Sequence, residues 1–378
     1  MKIAMISWEY PPQFSGGLGI HCYNIVHALT HIGVEIDFYL PAYKTEGFDI
    51  PIGMTMRHVQ INDPVSTNAY NSSTNLDTIK KFRSQLEEDF EPEGIDVIHA
   101  HDWMGVFAAA RLAERYKIPL IWTIHSTEYD RAAGMPVNPG ILAIEQEACK
   151  NVNHTITVSN LMKQSLVSVY NADPNKISVI YNGIETSPFQ EISNRDYQRT
   201  DGYILFLGRV TGQKGPDDFL AAAQIVLAER DDVRFMIAGD GDLLKSLKRR
   251  AKRWKISKQI EFTGSVYDDQ LMDCYKKAII FVLPSVSEPF GITVLEAMAS
   301  GLPTIISTNT GAGEVVNNVK YVEPKQPNEL AQAILTLLNN PQLRQTLGEE
   351  GAREVGKLSW ENIANETRSL YSRLLDMS

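Results

Sequence analysis

The chain has 378 residues, of which 43% are hydrophobic and 22% are charged, and its formal net charge is −10. This length exceeds what one hydrophobic core usually serves, so it predicts two domains. The negative charge, with no basic stripe along the sequence, argues against general nucleic-acid binding and against an anionic membrane partner.

The cysteines and the first residues of the chain bear on the cellular compartment of the protein. The cysteines are scattered and lack the spacing of a metal site, which is typical of reduced thiols in the cytoplasm. Residues 1–12 hold too short an apolar run for a signal sequence, and no run in the chain is long enough to span a bilayer. We therefore expect a cytoplasmic protein without a membrane span.

The first half of the sequence alternates short β-rich runs with helical patterns. Its predicted strands lie at 2–8, 35–40, 96–100, 119–125 and 154–159. A helix is expected at 21–33, directly after a glycine-rich turn. Such alternation predicts βαβ units and a parallel sheet that is buried on both faces. Residues 181–202 then replace the pattern with polar and turn-forming residues, and they form the predicted linker.

A second cycle of the same kind follows the linker. Its predicted strands lie at 203–210, 233–239, 260–264, 278–284, 303–308 and 319–324. The densest basic run, residues 245–255, is interpreted as one solvated helix face, with attraction of an anion to a nearby site as the alternative. Residues 360–376 form a long amphipathic helix that either caps the second domain or returns to the first.

The predicted fold class is therefore α/β, with two doubly wound Rossmann-like domains. Ligands of open parallel sheets bind at the carboxyl ends of the strands, beside the point where the strand order reverses. With two such domains, the cleft between them is the expected binding site. Chemically unusual residues should then follow the predicted strands.

A glycine pair follows the first strand and precedes the first helix. Gly16 and Gly17 leave backbone N–H groups bare at a helix N-terminus, where anions are favoured. An ordinary turn is the alternative interpretation. The pattern is not the G-x-G-x-x-G of dinucleotide-binding folds, so no dinucleotide site is predicted.

Polar side chains also follow the strands at 96–100 and 119–125. A cluster after the second of these strands indicates a functional edge of the sheet, and it consists of His125, Glu128, Asp130 and Arg131. A hydrogen-bonded loop histidine is the alternative for His125. Asp102, after the other strand, belongs either to the site or to the N-cap of a helix.

The loop LGRVTGQKG, residues 207–215, follows the first strand of the second half. Its Arg209 and Lys214 can direct a guanidinium and an ammonium at one phosphate group, whereas two solvated loop cations are the alternative. Asp240 and Asp242 look like the metal-holding D-x-D of some sugar transferases. Further oxygen ligands for a hard cation are not found, so we interpret them as a turn or a nucleotide-facing loop and expect no metal.

The stretch SEPFGITVLEAMASG, residues 287–301, carries two glutamates. A helix is predicted at 292–300, with Glu296 in its second turn among apolar residues and Glu288 just before it. A charge in apolar surroundings costs several kcal/mol unless it is paired or hydrogen-bonded. The N–H groups of residues 290–293 should point out of the positive helix end, ready for an anion. A ligand that has both an anionic group and many hydroxyls would satisfy the helix end and both carboxylates.

These motifs, together with TVSNLMK and VIYNGIE, resemble those of the retaining nucleotide-sugar glycosyltransferases of the GT-B fold, family 4, with features that lean towards glycogen synthases. The resemblance extends over nearly the whole chain. It implies GT-B architecture, in which two Rossmann-like domains face each other across a cleft. The implied domains are 1–190 and 191–358, with the helix at 359–378 completing the first.

The resemblance also implies an activity and its residues. A hexose would move from a UDP-, ADP- or GDP-linked donor to a hydroxyl of a glycan or other acceptor, with no metal or other cofactor. The implied catalytic residues are His125, Arg209, Lys214 and Glu288. The implied donor-binding residues are Gly16, Gly17, Val266, Tyr267, Pro289, Phe290, Gly291, Ile292, Thr293 and Glu296. The implied acceptor-side residues are Asp102, Glu128 and Asp130.

Within this set the resemblance implies specific roles. Arg209 and Lys214, with the backbone at the glycine pair, would hold the donor diphosphate. Glu296 would accept hydrogen bonds from the ribose, Glu288 would bind the donor sugar, and His125 would lie beside that sugar. Front-face attack is the expected route to retention, whereas a carboxylate nucleophile is the alternative.

One departure bears on the product. Bacterial glycogen synthases carry a lysine just before the glycine pair, where this chain has Phe14 and Ser15, so a glucan product gains no support from that position. Two other functions fit the same motifs. One is a nucleotide-sugar epimerase of the same fold, and the other is a non-catalytic protein that binds sugar nucleotides.

Overall fold

The computed structural model describes residues 1–14, 16–42, 46–61 and 76–376, so Ser15 lies outside the described residues. The chain divides into two units. Unit 1 comprises Met1–Tyr129, Pro136–Gly183 and Trp360–Ser378, and unit 2 comprises Asp130–Met135 and Ile184–Ser359. Each unit is built around one parallel sheet.

The sheet of unit 1 has seven parallel strands in the order β3-β2-β1-β4-β5-β6-β7. Its strands are β1 (Lys2–Ile6), β2 (Glu35–Pro41), β3 (Met54–Val59), β4 (Val97–His101), β5 (Leu120–Ile124), β6 (His154–Thr157) and β7 (Ile177–Val179). The helices associated with them are α1 (Gly17–His31), α2 (Leu76–Asp89), α3 (Asp102–Tyr116), α4 (Glu128–Ala132), α5 (Pro139–Asn151) and α6 (Asn160–Tyr170). The strand order reverses between β1 and β4, which is where a doubly wound sheet places its ligands.

Burial explains which strands the sequence reveals. The central strands β4 and β5 are buried at every position, as expected for a parallel sheet that is covered on both faces. The two edge strands, β3 and β7, are absent from the sequence prediction. β3 carries partly exposed polar residues such as Arg57 and His58, and β7 has only three residues, so neither presents the apolar run of a central strand.

The sheet of unit 2 has six parallel strands in the order β10-β9-β8-β11-β12-β13. Its strands are β8 (Tyr203–Leu207), β9 (Arg234–Ala238), β10 (Ile260–Gly264), β11 (Ala278–Leu283), β12 (Thr304–Ser307) and β13 (Lys320–Val322). Its helices are α7 (Gln190–Ser193), α8 (Pro216–Glu229), α9 (Leu244–Arg253), α10 (Asp268–Lys277), α11 (Ile292–Ala299), α12 (Pro327–Leu338) and α13 (Pro341–Val355). All six runs predicted in the second half form strands, and the order reverses between β8 and β11.

The last helix, α14 (Trp360–Asp376), belongs to unit 1. Its buried Tyr371 hydroxyl lies 2.6 Å from Nδ1 of His99 on β4. Near its start, the Trp360 ring packs edge-on against the ring of His21 on α1, with centroids 5.4 Å apart. The amphipathic pattern thus buries one helical face against the first sheet's helices and strands.

The basic run forms α9, which buries Leu247 and Ala251 and leaves most of its cations exposed. Arg250 forms an ion pair with Asp217. The run is therefore a largely solvated helix face. Among the helices that the structure describes, none has both the length and the apolar character needed to cross a membrane.

Candidate active site

Two loops meet where the strand order of unit 2 reverses. The loop after β8, residues 208–215, and the loop after β11, residues 284–291, leave adjacent parallel strands at the same edge of the sheet. They are joined through Gln213, whose backbone oxygen accepts a hydrogen bond from the N–H of Val286 at 2.8 Å. This connection brings the predicted phosphate-binding cations next to the glutamate motif.

Gly215 allows the two loops to approach. Its φ of +69° lies in the left-handed region, and a Cβ added there would be 2.2 Å from the Pro284 backbone oxygen. A side chain would therefore be strained by its own backbone and would also collide with the neighbouring loop. The glycine that ends the LGRVTGQKG motif is thus required by packing.

Lys214 and Glu288 form the central ion pair of this site. The Lys214 Nζ lies 2.5 Å from Oε2 of Glu288, and the two side chains are only 15% and 6% exposed. The Ser285 hydroxyl donates a second hydrogen bond to the same carboxylate oxygen, at 3.2 Å. Burial lowers the pKa of the Lys214 amine, and the attraction of Glu288 opposes that change. The pair is a buried charge arrangement, already formed before any ligand is considered.

Arg209 is held beside this pair. Its Nη2 donates to the side-chain oxygen of the buried Gln213 at 3.2 Å, while the Arg209 side chain remains partly exposed. Positive charge from Arg209 also contributes to the lowered pKa of the Lys214 amine, so the two cations lie within electrostatic range. A ligand that carries negative charge would relieve that repulsion.

The start of α11 offers a further positive end. Gly291 precedes the helix with a φ of +98°, and the first turn contains neither an acidic residue nor a side-chain cap. Ile292 and Thr293 begin the helix and are partly exposed, whereas Pro289 and Phe290 are buried and can serve a ligand mainly through their backbone. A helix start of this kind favours an anion, and its role in binding one stays a prediction.

Glu296 has a partner that the sequence does not indicate. The hydroxyl of Tyr275 on α10 donates to Oε2 of Glu296 at 2.6 Å, and Tyr275 is fully buried. Burial raises the pKa of the Glu296 carboxyl, and the Tyr275 hydrogen bond opposes that change. One carboxylate oxygen is thus fixed by the protein, which orients the partly exposed side chain for hydroxyl donors.

Val266 and Tyr267 follow β10, two strands away from β8 at the same carboxyl edge. Tyr267 is 49% exposed, which suits a side chain that faces a ligand base. Asp240 and Asp242 lie between β9 and α9, where the Asp240 carboxylate accepts from the N–H of Gly241 at 2.7 Å. That geometry is a turn, in agreement with the interpretation from sequence.

In unit 1, His125 lies directly after β5 at the carboxyl edge of the sheet. Its backbone N–H donates to Oδ1 of the buried Asp102 at 2.7 Å, so Asp102 fixes the start of the His125 loop. The His125 Nε2 lies 3.1 Å from Nδ1 of His101. Burial lowers the pKa of His125 to about 3, which leaves a neutral imidazole at neutral pH. Such a ring can exchange hydrogen bonds with a sugar hydroxyl without adding a charge.

The other predicted acids of this region also bond to the chain. The Oε1 of Glu128 accepts a hydrogen bond from the backbone N–H of Asn138 at 2.8 Å. The backbone N–H of Glu128 in turn donates to the Glu145 carboxylate. Asp130 belongs to unit 2, where it is buried and accepts from the Ser287 hydroxyl at 3.0 Å. Each carboxylate therefore positions a loop, and an acceptor-side role for them stays a prediction.

The glycine pair lies at the N-terminus of α1, as the sequence predicts. Gly16 is extended, Gly17 begins the helix, and both are at least partly exposed. The buried carboxylate of Glu9 accepts from the N–H of Gly19 in the first turn, at 3.2 Å. The Glu9 carboxylate thus already offsets part of the positive charge at the N-terminus of α1.

Sequence reasoning misses several residues that organise the site. They are Glu9, His101, Gln213, Tyr275 and Ser285. Tyr275 and Gln213 act through partners on other elements, and nothing in their own neighbourhood in the sequence predicts those partners. The alternation H-A-H at 99–101, on a strand that is otherwise apolar, is the signal that could have revealed the histidines.

Known proteins match this sequence along its length. The family described as Glycosyltransferase Family 4 matches residues 15–188, and the family described as Glycosyl transferases group 1 matches residues 190–354. An uncharacterized glycosyltransferase of Methanocaldococcus jannaschii is 34% identical over 396 residues, which cover 100% of this chain and 99% of that protein. The chain belongs to the family 4 glycosyltransferases.

This glycosyltransferase is also similar to a glycogen synthase of Mycobacterium tuberculosis, with 27% identity over 394 residues that cover 98% of this chain and 94% of the relative. Among solved structures, the sucrose-phosphate synthase from Thermosynechococcus elongatus matches with a TM-score of 0.82 and 22% identity over 100% of both chains. That likeness shows the fold, which is GT-B with two Rossmann-like domains. The family and fold class inferred from the sequence motifs are confirmed.

Proposed function

We propose that this glycosyltransferase moves a hexose from a nucleoside-diphosphate donor to a hydroxyl of a glycan or other acceptor, with retention of configuration and without a metal. The observation that carries the proposal is the buried Lys214–Glu288 pair, 2.5 Å between Nζ and Oε2, beside Arg209 at the strand-order reversal of unit 2. A cation and a carboxylate placed together suit a ligand that has both a diphosphate and a hydroxylated ring.

The charge on the leaving group explains the cations. As the glycosidic bond breaks, negative charge grows on the donor diphosphate, and the ammonium, the guanidinium and the start of α11 stabilise it. These groups are held by the fold in advance, so little reorganisation is needed during the reaction. They supply the electrostatic role that a divalent cation plays in other transferases, which is the basis for the proposed metal independence.

The carboxylates then serve hydroxyl groups. Glu288 keeps its Oε2 engaged with Lys214 and Ser285, so it binds the donor sugar better than it would attack it. Glu296, oriented by Tyr275, accepts from the nucleotide ribose. The neutral His125 bonds to a hydroxyl of the transferred sugar. This arrangement favours front-face attack, in which the acceptor hydroxyl gives its proton to the departing phosphate.

The donor is tested with a panel of UDP-, ADP- and GDP-linked hexoses. Ligand binding raises the melting temperature in proportion to the logarithm of concentration over Kd, so a thermal-shift screen ranks the donors. The best donor is then incubated with glycogen, malto-oligosaccharides and small hydroxyl acceptors, because a glycogen synthase is among the relatives. We expect a product whose anomeric configuration by NMR equals that of the donor, at a rate that EDTA leaves unchanged.

Matched variants place the chemistry on the proposed residues. Lys214→Met removes the ammonium, whereas Lys245→Met removes an exposed lysine of the same unit and should leave the rate unchanged. An inverted product, or reversible loss of activity with EDTA, would refute the proposed mechanism. Epimerised donor formed in the absence of any acceptor would identify an epimerase, and tight donor binding without turnover would identify a non-catalytic binding protein.

A further inference from the structure

Three histidines converge in unit 1. His21 on α1, His101 at the end of β4 and His125 after β5 each offer one ring nitrogen, and the three nitrogens lie within 4.8 Å of one another. The ring centroids of His21 and His125 are 4.3 Å apart. Among the described parts of the chain, this is the single group of three or more histidine, cysteine or acidic side chains close enough to share a metal ion.

A side chain behind the cluster fixes one of these rings. The Nδ1 of His21 lies 2.7 Å from the side-chain oxygen of Asn182. An amide oxygen only accepts, so His21 carries its proton on Nδ1 and presents a lone pair at Nε2. Metal-binding histidines commonly have such a partner on the nitrogen that does not bind the metal.

A second observation comes from His101, which is fully buried. Its Nδ1 bonds to His125, but its Nε2 has no hydrogen-bond partner in the described residues and no access to water. A buried polar atom without a partner is costly in a folded protein. Neighbouring His99 differs, because Tyr371 and Thr123 engage both of its ring nitrogens at 2.6 Å. On this strand, His101 therefore keeps one ring nitrogen without a hydrogen-bond partner in the described residues, whereas His99 does not.

The donor set also selects the kind of ion. Imidazole nitrogens suit zinc, copper and nickel, whereas magnesium and calcium require oxygen ligands. Three histidines with one open position form a common zinc arrangement, in which the nitrogens are about 3.3 Å apart around the metal. The His101 Nδ1 and the His125 Nε2 are 3.1 Å apart, and an ion bound between these two nitrogens would replace their hydrogen bond. His125 is partly exposed, which gives an ion a way in and leaves a position for water or an anion.

We propose that His21, His101 and His125 form a binding site for a divalent transition metal, with zinc as the preferred ion, and that its occupancy inhibits sugar transfer. Inhibition rests on the proposed function, because the metal would take the His125 ring away from the donor sugar. The enzyme would thus need no metal for turnover and yet be controlled by one.

Binding is measured on the full chain after treatment with a chelator. Calorimetric titration with zinc chloride should give one equivalent bound, and magnesium chloride should give none. Cobalt, as a spectroscopic substitute, should give the intense visible absorption of a four-coordinate site. His21→Gln and His101→Gln should each abolish this binding, whereas the exposed His31→Gln should not change it. Asn182→Ala should weaken zinc binding about 10- to 100-fold while the ligands remain.

Circular dichroism of each variant checks that it is folded. Unchanged zinc stoichiometry in folded His21→Gln protein, or unchanged zinc affinity in folded Asn182→Ala protein, would overturn the site. Inhibition is tested separately: transfer should fall as zinc occupancy rises and return with EDTA, and zinc should not inhibit His21→Gln. Full activity at full occupancy would overturn the inhibitory role. If no donor supports transfer, the proposed function fails, but the zinc titration still decides the site.

Discussion

Replacing Lys214 with methionine removes the ammonium and keeps a side chain of similar length. Glu288, 6% exposed, would then be a buried carboxylate whose other side-chain donor among the described residues is the Ser285 hydroxyl, at 3.2 Å. Removing one partner of a buried ion pair costs about 3–5 kcal/mol. The Ser285 bond and the residual exposure of the site place this variant at the lower end, about 3 kcal/mol. For a unit of this size, that loss lowers the melting temperature of unit 2 by about 6–12 °C.

The same change removes positive charge where the leaving group develops its negative charge. Loss of one preorganised group that stabilises charge in a transition state lowers kcat by about 100- to 1,000-fold. Arg209 and the start of α11 remain, so catalysis should fall to this level and not vanish. The ground-state donor carries charge as well, so the KM for the donor should also rise.

A double-mutant cycle separates stability from catalysis. Lys214→Met, Glu288→Gln and the double variant are compared by urea unfolding and by initial rates, well below every melting temperature. The double variant should recover most of the lost stability, because no buried charge is left unpaired, while its rate stays low. Lys245→Met serves as the control. Near-normal kcat in Lys214→Met, or no recovery of stability in the double variant, would refute the reasoning.

Three further changes test other parts of the structure. Gly215→Ala should destabilise the protein by at least about 2 kcal/mol in urea, because its φ is +69° and a Cβ would meet a backbone oxygen at 2.2 Å; equal stability would show that the loops separate easily. Burial raises the pKa of Glu296 above its ordinary 4.5, so this carboxyl keeps its proton to a higher pH in the native state than in the unfolded state. Its contribution to the free energy of unfolding therefore declines as the pH rises above about 4.5. Glu296→Gln lacks this decline and should gain in unfolding free energy relative to the native protein towards neutral pH, while the KM for the donor rises about fivefold from loss of a charge-assisted bond; parallel pH profiles of stability would contradict it. Tyr371→Phe removes the bond to His99 and should cost about 1–2 kcal/mol, measured by thermal unfolding with Leu374→Met as the control. No change would mean that the bond to His99 does not help to hold α14.

Much of the fold was predictable because the strands of a parallel sheet that is buried on both faces appear in the sequence as apolar runs. β4 and β11 are buried along their whole length, and the sequence predicts both as strands. β3 and β7 are missed, since an edge strand has one open side and tolerates polar residues such as Arg57. Strand order, by contrast, depends on which strands pair, and no local pattern encodes that.

The site divides in the same way. Lys214, Glu288 and Glu296 attract attention in the sequence because charges stand in apolar or glycine-rich surroundings. Their partnership is invisible there, since 74 positions separate Lys214 from Glu288. Tyr275 and Gln213 are ordinary residues of a helix and a turn, and they matter only through the side chains that they hold. The sequence therefore predicts groups that carry charge, and the fold decides which other residues orient them.

Stability does not explain why the Lys214–Glu288 pair is buried. Desolvating two charges costs about as much as their attraction returns, so a buried pair adds little net stability compared with an apolar substitute. Binding chemistry gives a better reason. An ammonium has three N–H donors, and Glu288 engages one of them, so the others remain able to bind phosphate oxygens while the carboxylate holds the amine in place. The desolvation free energy of the Lys214 ammonium is then already included in the free energy of folding. Donor binding therefore does not have to desolvate this cation again.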